Sequence, residues 1–151
     1  MKATHRPTVS RPALSWVLLS ILLTCSPLAF SAPKILLNES VVLTDIDSAY
    51  LNQIFAMQTR KWPNGQAIQV FVLPSTDSLH RSFVVDHLQI QAHQLDRIWN
   101  RMLFTGTGKA PTVVESEEAM LNTIRATPGA IGYVSETFTA TGVRVVGGGE
   151  R

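Results

Sequence analysis

Apolar positions change period several times between residues 34 and 146, and each change marks an element. Residues 34–37 (KILL) read as a strand, with 41–43 as an apolar patch that continues it. Tyr50, Leu51, Ile54, Phe55 and Met57 then recur at helical spacing, which predicts a helix over 48–57 behind the cap candidates Thr44, Asp45, Asp47 and Ser48. Residues 59–65 (TRKWPNG) read as a turn, because Pro63 and Gly65 break regular structure and Asn64-Gly65 favours a tight reversal. Trp62 is expected to pack there as a lid on the core edge, in preference to standing free for stacking on a sugar.

The most informative change of period lies at 68–83, IQVFVLPSTDSLHRSF. Ile68, Val70, Phe71, Val72 and Leu73 form a run short and apolar enough for a strand buried on both faces, and Pro74 stops it. Ser75, Thr76 and Asp77 are N-cap candidates for the helix whose face continues through Leu79, Phe83, Val84, His87 and Leu88. A helix start offers unpaired N–H groups and the positive end of a macrodipole, so hydroxyls beside it suit an anion. The competing reading is that Ser75 simply caps the helix.

Leu95, Ile98, Trp99, Met102 and Leu103 predict a further helix, ended by Gly106 and Gly108. Val113 and Val114 form a short extended piece. Ser116 then caps a helix through Ala126, with Glu117 and Glu118 in its first turn and Arg125 in its last, as the macrodipole favours. Thr127-Pro128-Gly129 ends that helix. Residues 130–134 (AIGYV) read as a buried strand in which Gly132 marks a close approach, and 143–146 as a last strand. Strands alternating with helices predict an α/β fold with a largely parallel or mixed sheet flanked by helices, carrying its ligand at the carboxyl ends of strands. The end at 73–76 is such a place.

Residues 1–31 alter the charge picture. Lys2, Arg6 and Arg11 precede an apolar and small-residue run from Ala13 to Leu23, the pattern of a secretory signal peptide and too short for a membrane span. Ala29 and Ser31 fit a cleavage site after Ser31, which makes 32–151 the mature domain. A lipoprotein signal through Cys25 in LLTCS ranks second, since Thr24 is a poor match to the small residue preferred there. The whole chain carries 13 Lys and Arg against 11 Asp and Glu, a net +2. The signal holds three of the basic residues and none of the acids, so 32–151 has ten against eleven, a net −1. A basic-protein case for nucleic acid or acidic lipid fails on that balance. Cys25 is the single cysteine and leaves with the signal, so the mature domain is expected to have no disulfide and no thiol chemistry, and after signal cleavage no stable membrane insertion is expected.

No catalytic pattern stands out. His80 and His87 are two helical turns apart, too far to share one ion without a third ligand, and with His93 they read as solvated helix residues, so no metal is expected. Ser75, Asp77 and His80 have the residue types of a nucleophilic triad without a Gly-x-Ser-x-Gly elbow. Residues 105–111 (TGTGKAP) lack the glycine frame and the Lys-Ser/Thr of a phosphate loop. The expectation is a protein that is not an enzyme and has no cofactor.

Four segments carry a resemblance: 51–65 (LNQIFAMQTRKWPNG), 75–83 (STDSLHRSF), 98–111 (IWNRMLFTGTGKAP) and 127–134 (TPGAIGYV). In order and spacing they resemble the short periplasmic-binding-protein-like domains related to phosphate ABC-transporter substrate-binding proteins. The resemblance covers nearly all of 34–146. It implies a periplasmic solute-binding-like protein for phosphate or a similar oxyanion, with Ser75, Thr76 and Ser78 as donors and Arg81 as the charge. Its partner would be an ABC transporter permease or an envelope sensor protein. Two departures stand out. The family's Ser-Gly-Thr is here Ser75-Thr76-Asp77-Ser78, and its preceding arginine falls among Val70, Phe71, Val72 and Leu73. Only about twenty residues precede the Ile54-Phe55 motif in the mature domain, which implies a reduced second lobe. The alternative function is a ligand-less interaction or sensory accessory module of the cell envelope.

Overall fold

In a computed structural model that describes residues 32–43 and 45–146, nine elements follow the changes of period closely. They are β1 (Lys34–Leu37), α1 (Ser48–Phe55), β2 (Gln69–Val72), α2 (Ser78–Asp86), α3 (Ala92–Thr105), β3 (Thr112–Val113), α4 (Glu117–Ala126), β4 (Ala130–Val134) and β5 (Arg144–Val146). Residues 1–31, read as a signal peptide and containing Cys25, the cap candidate Thr44 and residues 147–151 lie outside the described residues.

The strands form one mixed sheet in the order β3-β2-β4-β1-β5. β2 runs parallel to both β3 and β4, with Phe71 opposite Thr112 and Val70 opposite Ile131. β1 is antiparallel to β4 and to β5, with Leu36 between Gly132 and Val145. All five residues of β4 are buried, as its unbroken apolar reading and central position require. The patch at 41–43 does not extend β1. Asn38 ends the strand by accepting the Val41 N–H at 3.0 Å, and Asn38 Nδ2 donates to the α4 carbonyls of Ile124 (2.7 Å) and Arg125 (3.0 Å). A side chain that satisfies two helix-end carbonyls fixes the turn, and the chain leaves the sheet there.

Two glycines are forced by contact. At Gly132 a Cβ would run into Met120 Sδ and Ile124 Cδ1, so α4 lies directly on β4. Gly129 has φ of 76°, and a Cβ on it would meet the Ala67 carbonyl oxygen. Its carbonyl accepts from Gln69 N (3.1 Å) and from Trp62 Nε1 (3.0 Å), and its N–H donates to Ser40 Oγ at 2.9 Å. Trp62 is buried, with Tyr50 edge-on to its ring at 6.4 Å, and is unavailable for stacking on a sugar.

Between the sheet and the helices lies an aromatic cluster. Phe83 of α2 stacks on Tyr133 of β4 with ring centroids 3.9 Å apart and planes 8° from parallel, and Phe55 of α1 closes the group at 4.8 Å from Phe83. Phe83, Tyr133 and Phe55 have no solvent exposure, so α2 is held to the central strand through Phe83.

Candidate functional site

Residues 73–81 join the carboxyl end of β2 to α2. Pro74 accepts the Asp77 N–H at 2.8 Å, so 74–77 closes as a turn that leaves Ser75 and Thr76 at its exposed tip. The turn moves the cap along the chain. Asp77, not Ser75, is the N-cap of α2, in extended backbone with its carboxylate accepting from Leu79 N at 2.7 Å. Ser75 capping the helix is therefore corrected by the Pro74 turn. Ser78 is the first residue of α2 and is exposed. Arg81, one turn in, folds back so that Nη1 donates to the Thr76 carbonyl at 2.6 Å.

Ser75 and Thr76 on the turn and Ser78 and Arg81 in the first turn of α2 are thus all exposed beside a strand's carboxyl end. The arrangement provides three hydroxyls and one guanidinium at a helix start, chemistry suited to hydrogen-bonding an oxyanion. Asp77 places a carboxylate within the same group and works against that.

Beneath the turn lies a polar network that local sequence did not reveal. Tyr133 Oη accepts from Leu73 N at 2.9 Å and bonds His80 Nδ1 at 2.6 Å. Burial pushes the Tyr133 phenol far above its ordinary range, partly offset by the Leu73 N–H. Burial likewise pulls the His80 imidazole below 6.5, against the raising influence of Asp96 and Asp77. Both groups are therefore neutral near pH 7. The arrangement that meets most bonds has Tyr133 donating to Nδ1, which puts the imidazole proton on Nε2, an atom with no partner. His87 is also buried, and its Nε2 bonds the Pro33 carbonyl at 2.6 Å; a carbonyl only accepts, so that nitrogen carries its proton.

Solvated positions were expected for all three histidines, and His80 and His87 depart from that because each faces the sheet side of α2 and finds a distant partner. His93 is exposed. Among the described residues no group of three or more His, Cys, Asp or Glu is placed to hold a metal ion.

A pH dependence follows from His80. Its folded pKa lies below the unfolded value, so the unfolded chain takes up more protons and stability falls as pH drops from 6.5 through the folded pKa. Urea titrations on either side of pH 6.5 should show a smaller acid loss for His80→Gln than for the wild type. Equal losses would mean that His80 is not the responsible group.

No family model matches the chain, and a search of curated proteins gives no match. Solved structures do resemble it. An ABC-type phosphate transport receptor from Vibrio cholerae superposes with a TM-score of 0.60 at 16% identity, over 77% of this chain and 45% of that one. A putative phosphate ABC transporter substrate-binding protein with bound phosphate, from Clostridium perfringens, gives 0.62 at 12% identity, over 77% and 44%. PstS from Borrelia burgdorferi gives 0.59 at 15% identity, over 77% and 46%. The fold is therefore periplasmic-binding-protein-like, as the resemblance of the four segments implied. The chain matches less than half the length of these structures. Among the described residues no helix is long and apolar enough to cross a membrane.

Proposed function

We propose that the chain is a periplasmic, non-enzymatic solute-binding-like protein, exported by residues 1–31, that takes phosphate or a similar oxyanion at the start of α2 on behalf of an ABC transporter. The observation that carries this is the junction at the carboxyl end of β2, where Ser75 and Thr76 stand exposed on the turn, Ser78 opens α2, and Arg81 folds back from α2 onto the Thr76 carbonyl. The fold shared with phosphate receptors supports the same reading. Asp77 sets the affinity low, since an anion would approach a carboxylate that already serves the Leu79 N–H.

Titration calorimetry with phosphate, sulfate and molybdate tests the reading. Asp77→Asn keeps a good cap and removes the charge, and should tighten phosphate binding roughly tenfold, the size of one like-charge contact near a surface. Arg81→Gln should weaken it by a similar factor. Absence of heat at millimolar phosphate in both the wild type and Asp77→Asn would defeat the oxyanion reading.

Two features favour a second reading, a ligand-less interaction or sensory module beside a permease or an envelope sensor. Asp77 occupies the cap position, and Phe104 at the end of α3 is 91% exposed with Leu103 and Val113 also largely open. On that reading Phe104→Ser abolishes crosslinking to a permease or sensor in envelope extracts, while no anion heat is seen.

A further inference from the structure

The opposite end of the parallel strands holds a recess unrelated to the α2 start. The α3–β3 loop swings out at Gly106 and rejoins the sheet only at Thr112, leaving a groove of about 560 Å³ beside Gln69 and Val70 of β2 and Ile68 just before it. Arg60 and Lys109 stand in its wall, and among the described residues no Asp or Glu lines it. Among the described residues the ion pair found is Lys34 with Glu136, so neither groove cation is neutralised in this way.

Arg60 is held in place. Its Nη2 donates to the Thr107 carbonyl at 3.0 Å and its Nε to the Met57 carbonyl at 3.4 Å, which leaves Nη1 unbonded among the described residues. Gly108 is shaped to this guanidinium: a Cβ there would stand 2.9 Å from Arg60 Nη2 and 3.3 Å from Met102 Sδ. The glycine in this loop thus makes room for a fixed cation, a role different from that of the phosphate loops whose frame the segment lacks. Met57, Ile68, Val70 and Ala110 supply apolar wall beside the charges. A positioned guanidinium, an exposed ammonium and apolar walls together recognise an oxyanion head carried on an apolar body.

We infer that this groove is a second binding site, for a small carboxylate or phosphate monoester with an apolar body, independent of the oxyanion turn at α2. The head bonds Arg60 and Lys109, and the body lies along Ile68 and Val70.

Amide NMR titration of the protein with phenyl phosphate, benzoate, inorganic phosphate and benzyl alcohol tests it. Phenyl phosphate and benzoate should give saturable shifts at Gly106, Thr107, Gly108 and Lys109, while benzyl alcohol, which lacks the charge, should not. Arg60→Gln and Lys109→Gln should each weaken phenyl phosphate binding about tenfold, the loss of one charge-assisted contact. Gly108→Ala should weaken it too by displacing Arg60, with the remaining spectrum reporting an intact fold. No shifts in the loop at about 10 mM ligand, well beyond any specific affinity of interest, would overturn the site. So would equal binding by benzyl alcohol, or indifference to both charge substitutions. Inorganic phosphate binding in the groove as tightly as phenyl phosphate would overturn the role of the apolar wall. Shifts confined to Ser75, Thr76 and Ser78 would refute the groove and leave the α2 reading standing.

Discussion

Phe83→Ala is expected to destabilise the protein by about 4 kcal/mol, the usual scale for truncating a fully buried phenyl ring. The ring has few ways to be compensated. It is stacked on Tyr133 at 3.9 Å, flanked by Phe55 at 4.8 Å and by the His87 ring at 5.4 Å, so three large neighbours would have to move to fill the space. A domain of this size has roughly 5–15 kcal/mol in total, so the variant should melt on the order of 15 °C lower. Phe83→Leu keeps most of the volume and should cost about half as much. Urea unfolding followed by circular dichroism measures both. A loss below about 1.5 kcal/mol for the alanine variant would mean that the stack collapses readily or is not formed, because a well-packed ring costs about 3 or more. The same substitution loosens α2 from β4, and Ser78 and Arg81 ride on α2. Any oxyanion affinity should therefore fall with it, the more so because Tyr133, on which the ring stacks, bonds Leu73 just before the turn.

The second large effect is expected at Gly129→Ala, at about 3 kcal/mol. Roughly 1 of this comes from placing a side chain at φ of 76°, and the rest from driving its Cβ against the Ala67 carbonyl oxygen. That oxygen belongs to backbone and cannot swing aside as a side chain could. Movement would also strain the three hydrogen bonds Gly129 makes, to Ser40, Gln69 and Trp62. Gly65→Ala is the natural comparison. Its φ of 84° is as unfavourable, but a Cβ there meets nothing within 4 Å, so about 1 kcal/mol is expected. Thermal melts of the two variants separate the cost of conformation from the cost of collision. Similar losses at both positions would show that the Ala67 contact yields easily.

The elements that were legible from residue order are those whose burial follows a local period. Leu51, Ile54 and Phe55 mark α1, Met120, Leu121 and Ile124 mark α4, and the unbroken apolar run AIGYV marks the central strand. The position of the strand-to-helix junction at 73–78 was legible for the same reason. Its detail was not, because Ser75, Thr76 and Asp77 are all good caps, and the choice among them depends on a hydrogen bond from Asp77 N to Pro74.

Groups whose partners are far along the chain escaped altogether. His80 finds Tyr133 at a separation of 53 residues, His87 finds Pro33 at 54, and Asn38 reaches the α4 carbonyls at 86 and 87. A histidine on a helix looks the same in sequence whether water or a tyrosine meets it. The Arg60 groove is similar, since its anchor at Thr107 lies 47 residues away. Composition offered one usable signal there: the glycine at 108 in a loop that fits no phosphate frame needed some other reason to lack a side chain.

The place of β1 in the sheet has a consequence for how the chain comes together in time. Of the described strands β1 is made first, yet its two neighbours are β4 and β5, the last of them, and it pairs Lys34 with Val134 and Leu37 with Arg144. A chain emerging from the ribosome therefore carries KILL without its two partner strands until β4 and β5 have appeared. Closing such large loops is slow, and an apolar strand kept waiting is available to wrong partners. Folding of the described residues is thus expected to be late and concerted, with its first strand in need of protection until β4 and β5 are present.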